Sequence, residues 1–189
     1  MGRAMSGAKT IMSRTAMAAK ARALSRDRRG ATMIEFAVVA GPFIALILAG
    51  IQTSLVFFSQ QLIETVAESS GRQLMTGAVQ LAGTTQAQYK ADVCSRLPDF
   101  MTCANTYVDV RTSNNFATVS TAPPVFTYSG NSVTNVWSFA RPGAGQIAIV
   151  RVMYLLPVAG GPLGFRLADQ PNSRRLLIAT SVFKTEQFE

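Results

Sequence analysis

The chain contains no histidine, which removes the commonest general base, the Ser-His and Cys-His nucleophile pairs and most zinc sites. Its two cysteines, Cys94 and Cys103, are too few to hold a structural metal without histidine. Acids are sparse, ten against eighteen Lys and Arg. A carboxylate pair can be drawn from Asp92 and Asp99, but solvated surface acids are the simpler reading. A phosphate-binding glycine loop is missing too, because Gly143-Ala144-Gly145 lacks the Gly, Lys and Ser or Thr that would complete one. No catalytic residue, cofactor or metal is therefore expected, and an enzyme is disfavoured.

The net charge of +8 suggests a nucleic-acid partner until it is divided along the chain. Residues 1–30 carry eight Lys or Arg against Asp27, net +7, and the other 159 carry ten against nine, net +1. The basic leader is rich in Ala, Ser, Met and Arg, has no aromatic to stack on a base and shows no clean apolar stripe, so no nucleic acid is expected. A mostly disordered topogenic tail fits better. The composition also suits a mitochondrial transit peptide ahead of an inner-membrane anchor, whereas a secretory signal peptide has a shorter apolar region, about 7 to 15 residues. Met5, Met12 and Met17 leave the start codon open.

What is present is a long apolar run. From Phe36 to Phe58, 23 residues carry no formal charge, and as a helix rising about 1.5 Å per residue they would measure roughly 35 Å, enough to cross a bilayer. Sixteen of them, Phe36 to Ile51, have no polar side chain, whereas a helix buried in a soluble core usually keeps a polar stripe. Lys20, Arg22, Arg26, Arg28 and Arg29 precede the run, and only Arg72 follows within twenty residues. Basic flanks are retained in the cytoplasm. The N-terminus is therefore expected inside, and everything after the span outside the cytoplasm.

Within the run, Ala37, Gly41, Ala45 and Ala49 recur at every fourth position and share a helix face. Small residues there let a second helix approach closely, although Ala and Gly are also simply common in membrane helices. Pro42 removes a donor and predicts a kink or local opening near the Val38 carbonyl.

Directly before the run stand a basic block, Gly30, four residues and then Glu35. A carboxylate at the bilayer centre costs about 2.5–3.5 kcal/mol on insertion scales, so a glutamate at the edge of a span either snorkels to the headgroups or is paired. For Glu35 taken alone both readings stand. The arrangement resembles the processing site of type IV pilin-like proteins, in which a prepilin peptidase cuts after a glycine and a glutamate is the fifth residue of the product. Here the cut would separate Gly30 from Ala31.

RRGATMIEFAVV, together with RVMYLLPV and TSVFKTEQFE near the C-terminus, is similar to the TadE-like pseudopilins of the tight-adherence (Tad/Flp) type IVb pilus. The sequence departs from the pilin pattern at Ala31, where an aromatic is common, and in its long leader. The resemblance implies a minor pilin or pseudopilin needed for biogenesis of an adhesion pilus. It would be processed after Gly30 and held as a single-pass protein of the bacterial inner membrane, with its C-terminal domain periplasmic, before entering the pilus. Its partners would be the inner membrane, the prepilin peptidase, other pilins or pseudopilins and the pilus assembly platform. The resemblance also implies that Glu35 pairs with the new amino terminus at Ala31 on assembly. The alternative is an unprocessed single-span module that binds or senses something outside the cytoplasm.

The helix is expected to continue as SQQLIETVAESSGRQLMTG, with Leu62, Ile63, Val66, Ser70 and Leu74 on one side, weakened by Gly71 and stopped by Gly77. Cys94 and Cys103 would lie about 13.5 Å apart in an unbroken helix, too far to bridge. Pro98 between them predicts a turn, and in an oxidising compartment the pair reads as a disulfide, with two free buried thiols as the alternative. Strands are expected at Tyr107 to Arg111, more weakly at Val125 to Tyr128 and Val136 to Phe139, and firmly at Gln146 to Val158 and Leu176 to Lys184. Gln146 to Val158 is apolar on both alternating faces, as a central, doubly covered strand would be.

The expected fold is α+β, a long N-terminal transmembrane helix extending into a small extracytoplasmic domain whose antiparallel sheet packs on the outer half of the helix. The expected divisions are a leader at 1–30, the helix start and span at 31–58, its continuation at 59–80 and the domain at 81–189. Phe183 and Phe188 would be core or edge residues of that domain.

Overall fold

The computed structural model describes residues 30–120, 122–161 and 164–188, so the basic leader before Gly30, with its expected disorder, lies outside the described residues, as do Thr121, Pro162, Leu163 and Glu189. Helix α1 runs Ala31–Met75 and continues unbroken through Pro42; the donor that proline lacks ends no part of it. The chain divides into two compact units, residues 1–47 and 48–189. In the first, the described residues are the apolar start of α1, where Met33, Phe36, Val38, Phe43 and Leu46 are all exposed. Thr32 and Glu35 are the only polar side chains among residues 30–47, and along the apolar run from Phe36 to Phe58 only Ala45 is buried.

In the second unit the helix turns amphipathic. Ile63, Val66, Ala67, Ser70, Gly71 and Leu74 are buried, while Gln61, Thr65, Glu68 and Arg72 are exposed, the 3.6-residue stripe of a helix packed on one side. Gly71 is more than a weak helix former. A Cβ there would stand 3.0 Å from Phe183 Cε1 and 3.2 Å from Ser181 Oγ, so the missing side chain is what lets a strand lie against the helix. The helix ends two residues before Gly77, whose φ of +80° an L side chain rarely adopts.

A four-residue turn, α2 (Ala78–Leu81), leads to α3 (Gln86–Ser95). The start of α3 is fixed by a capping box: the Thr85 hydroxyl accepts from the Gln88 amide at 3.3 Å, and Gln88 Oε1 accepts from the Thr85 amide at 2.8 Å. This points Tyr89 and Val93 into the core. The chain then turns at Pro98, whose carbonyl accepts from the Met101 amide at 2.8 Å, and Cys94 and Cys103 are joined with their Cα atoms 5.3 Å apart.

Strands β1 (Thr106–Ser113), β4 (Ile147–Pro157) and β5 (Arg174–Lys184) form an antiparallel sheet in the order β1-β4-β5. The central strand β4 is buried along nine consecutive residues, Ile147 to Leu155, because both faces are covered. Val108, Val110, Val150, Val152, Tyr154, Leu177 and Ala179 pack on α1 and α3. Met153 and Leu155 meet Phe126, Tyr128, Val133 and Trp137 from the long β1–β4 connection. Each such large apolar side chain contributes about 1.5–3 kcal/mol on burial.

That connection corrects two expectations. Of Val125 to Tyr128 only Tyr128 lies in a strand, and Val136 to Phe139 forms none; among the described residues the regular pairing nearby is the small hairpin of β2 (Tyr128–Ser129) and β3 (Ser132–Val133). The physical reason is the Asn135 side chain, which accepts from the Thr127 amide at 2.7 Å and donates to the Val125 carbonyl at 2.8 Å, replacing a ladder with local bonds. Phe139 still reaches the sheet by a single parallel bridge to Val110, with Val110 donating to the Ser138 carbonyl at 2.8 Å.

Candidate assembly segment and the domain that supports it

The residues singled out by the sequence fall into two groups. Gly30 is exposed immediately before α1, and a Cβ there would have nothing within 4 Å, so its backbone is open to approach. Ala31 opens the helix and Glu35, also exposed, lies four residues on, which on a helix brings their side chains onto one face about 5–6 Å apart. Among the described residues the Glu35 side chain has no hydrogen bond or ion pair. Of the small residues at every fourth position, Ala37 and Gly41 are exposed, Ala45 is buried and Ala49 is half-buried. The second group, Cys94 and Cys103, is the disulfide already described; it closes the loop between α3 and β1 and stands apart from Gly30 and Glu35 in the sequence.

One feature of the domain escapes a reading by pattern. Asp109 on β1 lies directly across from Arg151 on β4, on the face away from α1, and both are buried, Asp109 fully and Arg151 to within 3 %. Asp109 Oδ2 accepts from Arg151 Nη1 at 3.2 Å and from Arg111 Nε at 2.9 Å, and its Oδ1 accepts from the Ser138 amide at 2.9 Å. Arg151 Nη2 donates to the Ser120 carbonyl. The pair therefore ties the irregular connection to the sheet at Ser120 and Ser138. The signal available was one charge of each sign in the middle of two strongly apolar strands, Val108-Asp109-Val110 and Val150-Arg151-Val152. A buried pair of this kind needs several hydrogen bonds to offset its desolvation, and four are present.

The C-terminal tail also has a place. The Thr185 hydroxyl donates to the Gly143 carbonyl at 2.6 Å and the Glu186 amide donates to the Met75 carbonyl at 2.8 Å, so the tail caps the end of α1 and sets Phe188 over Gly77. Among the described residues no cluster of His, Cys, Asp or Glu could hold a metal ion.

Residues 30–72 match the family model of TadE-like proteins. This segment is similar to TadE-like proteins. It begins at Gly30, takes in Glu35 and the whole apolar run, and reaches Arg72 near the end of α1; the sheet lies beyond the match. No curated protein and no solved structure matches the chain. The exposed apolar helix in which the match lies is long enough to make a single membrane pass.

Proposed function

We propose that the chain is a pseudopilin or minor pilin of a Tad-type adhesion pilus, cut by a prepilin peptidase between Gly30 and Ala31 and held in the inner membrane, its domain periplasmic, until it enters the pilus with other pilins at the assembly platform. The observation that carries this reading is a coincidence of boundaries. The TadE-like match starts at Gly30, α1 starts at Ala31, and Glu35 sits one turn in with no side-chain partner among the described residues.

The chemistry follows from the helix. Cleavage would place a new ammonium at Ala31, on the positive end of the helix dipole, and Glu35 is the carboxylate one turn away that offsets both. In lipid that carboxylate sits at the span's edge, where headgroups and water reach it. In a poorly solvated filament interior it would enter with the amine, its own or a neighbour's, and breaking such a buried pair costs about 3–5 kcal/mol. The face of Ala37, Gly41, Ala45 and Ala49 is the surface on which a neighbouring helix would pack closely.

Replacing Glu35 by Leu therefore leaves membrane insertion intact while the subunit fails to support piliation. Membrane level and surface pilus content, compared between wild type and Glu35→Leu, decide it. Normal piliation, with the variant subunit co-purifying normally with sheared pili, returns Glu35 to the headgroup region and removes it from the assembly site.

A further inference from the structure

The disulfide-closed loop ends in a side chain that no core explains. Phe100 is 55 % exposed, and it stacks on Phe58 of α1 with ring centroids 6.4 Å apart. Around them Leu55 and Phe57 are exposed as well, so the apolar surface of the helix continues sideways onto the α3–β1 loop. Beside it opens a cleft of about 220 Å³ bounded by Val56, Ser59, Leu156, Pro157 and Ala159, where Gln52 Oε1 is buried without a hydrogen-bond partner. The β4–β5 loop thus shares this end of the domain with Phe100. The exposed charges next to Phe100 in the chain are Arg96 and Asp99, one of each sign, so apolar area rather than net charge would drive any contact.

We propose that this end of the domain is seated in the lipid interface: Phe100 and Phe58 insert at the headgroup–acyl boundary, and the Cys94–Cys103 bridge holds the loop in the shape that presents Phe100. The inference rests on the reading of α1 as a membrane span. The occupant is lipid because the patch is continuous with the apolar surface of α1 in residues 55–58, and because exposed Phe and Leu side chains of membrane-surface segments bury into the headgroup–acyl boundary. Elsewhere the exposed aromatic Phe116 lies beyond the opposite end of β1, with no such continuity. The domain would then rest on the bilayer before assembly instead of standing clear of it, and entry into a filament would have to lift Phe100 out.

The test places a tryptophan in the full chain, reconstituted in vesicles of phosphatidylcholine and phosphatidylglycerol, at Phe100 (Phe100→Trp) or at the control site (Phe116→Trp), with Trp137 as the shared background. The expected result is a blue-shifted component for Phe100→Trp that loses emission to lipids brominated near the headgroup end of their chains, unchanged by salt, while Phe116→Trp loses none. Equal quenching at both sites, or none at Phe100→Trp, overturns the docking. Shielding from water without quenching by any lipid also overturns it, by showing that protein covers the patch. Failure of the unaltered chain to float with the vesicles overturns the docking and the membrane span together; flotation without quenching overturns the docking alone.

Discussion

Replacing Asp109 by Ala would leave Arg151 a buried cation whose remaining partner is the Ser120 carbonyl, with Nε already unpartnered. It would also strip the Ser138 amide of its acceptor. Removing one member of a buried pair costs about 3–5 kcal/mol. Arg111 adds little to this, since its side chain is 53 % exposed and water can take over its bond. Against a total stability of about 5–15 kcal/mol that is a large fraction, and at roughly 2–4 °C per kcal/mol for a chain of this size it lowers Tm by about 10 °C. The double variant Asp109→Leu/Arg151→Met exchanges the pair for apolar groups and should recover most of the loss, because such exchanges are often neutral. Thermal unfolding of the detergent-solubilised chain, followed by Trp137 fluorescence, reads both. Asp109→Ala within about 1 kcal/mol of the parent, or a double variant less stable than the single one, refutes the reasoning.

Gly77→Ala forces a Cβ to within 2.4 Å of Phe188 Cγ at a φ of +80°. It should cost about 1–2 kcal/mol and release the tail, read as faster hydrogen exchange at the Glu186 amide; unchanged exchange contradicts the capping role of the tail. Burial, with Asp92 adding to it, pushes the Tyr89 hydroxyl well above its ordinary range. The unfolded chain therefore gives up that proton first, and stability falls as pH rises above about 10. Tyr89→Phe should flatten that alkaline loss while costing about 1 kcal/mol at neutral pH, since the hydroxyl donates to the Ser70 carbonyl at 2.9 Å; urea titrations at both pH values check it.

Much of this architecture was legible because it follows strong periodicities. The apolar run from Phe36, the stripe of Ile63, Val66, Ser70 and Leu74, and the two long β-rich segments each have one arrangement that buries them. The disulfide followed from two cysteines and a proline between them. What stayed hidden depends on single side chains acting over distance. Asn135 replaces a strand with local bonds, Asp109 and Arg151 meet across 42 residues, and Gly71 is small because Phe183 arrives there from β5. The capping box at Thr85 and Gln88 was readable but sits in a short helix with little apolar pattern. In the assembly segment, the spacing of Gly30 and Glu35 carried the reading and the fold supplies the support, an open backbone and a helix that starts at Ala31.

The most direct test of the central claim is the intact mass of the protein extracted from native membranes. A processed pseudopilin begins at Ala31 and has lost the leader and its net charge of +7. A native chain that still carries residues 20–30 contradicts cleavage at Gly30 and leaves an anchored, unprocessed module in its place.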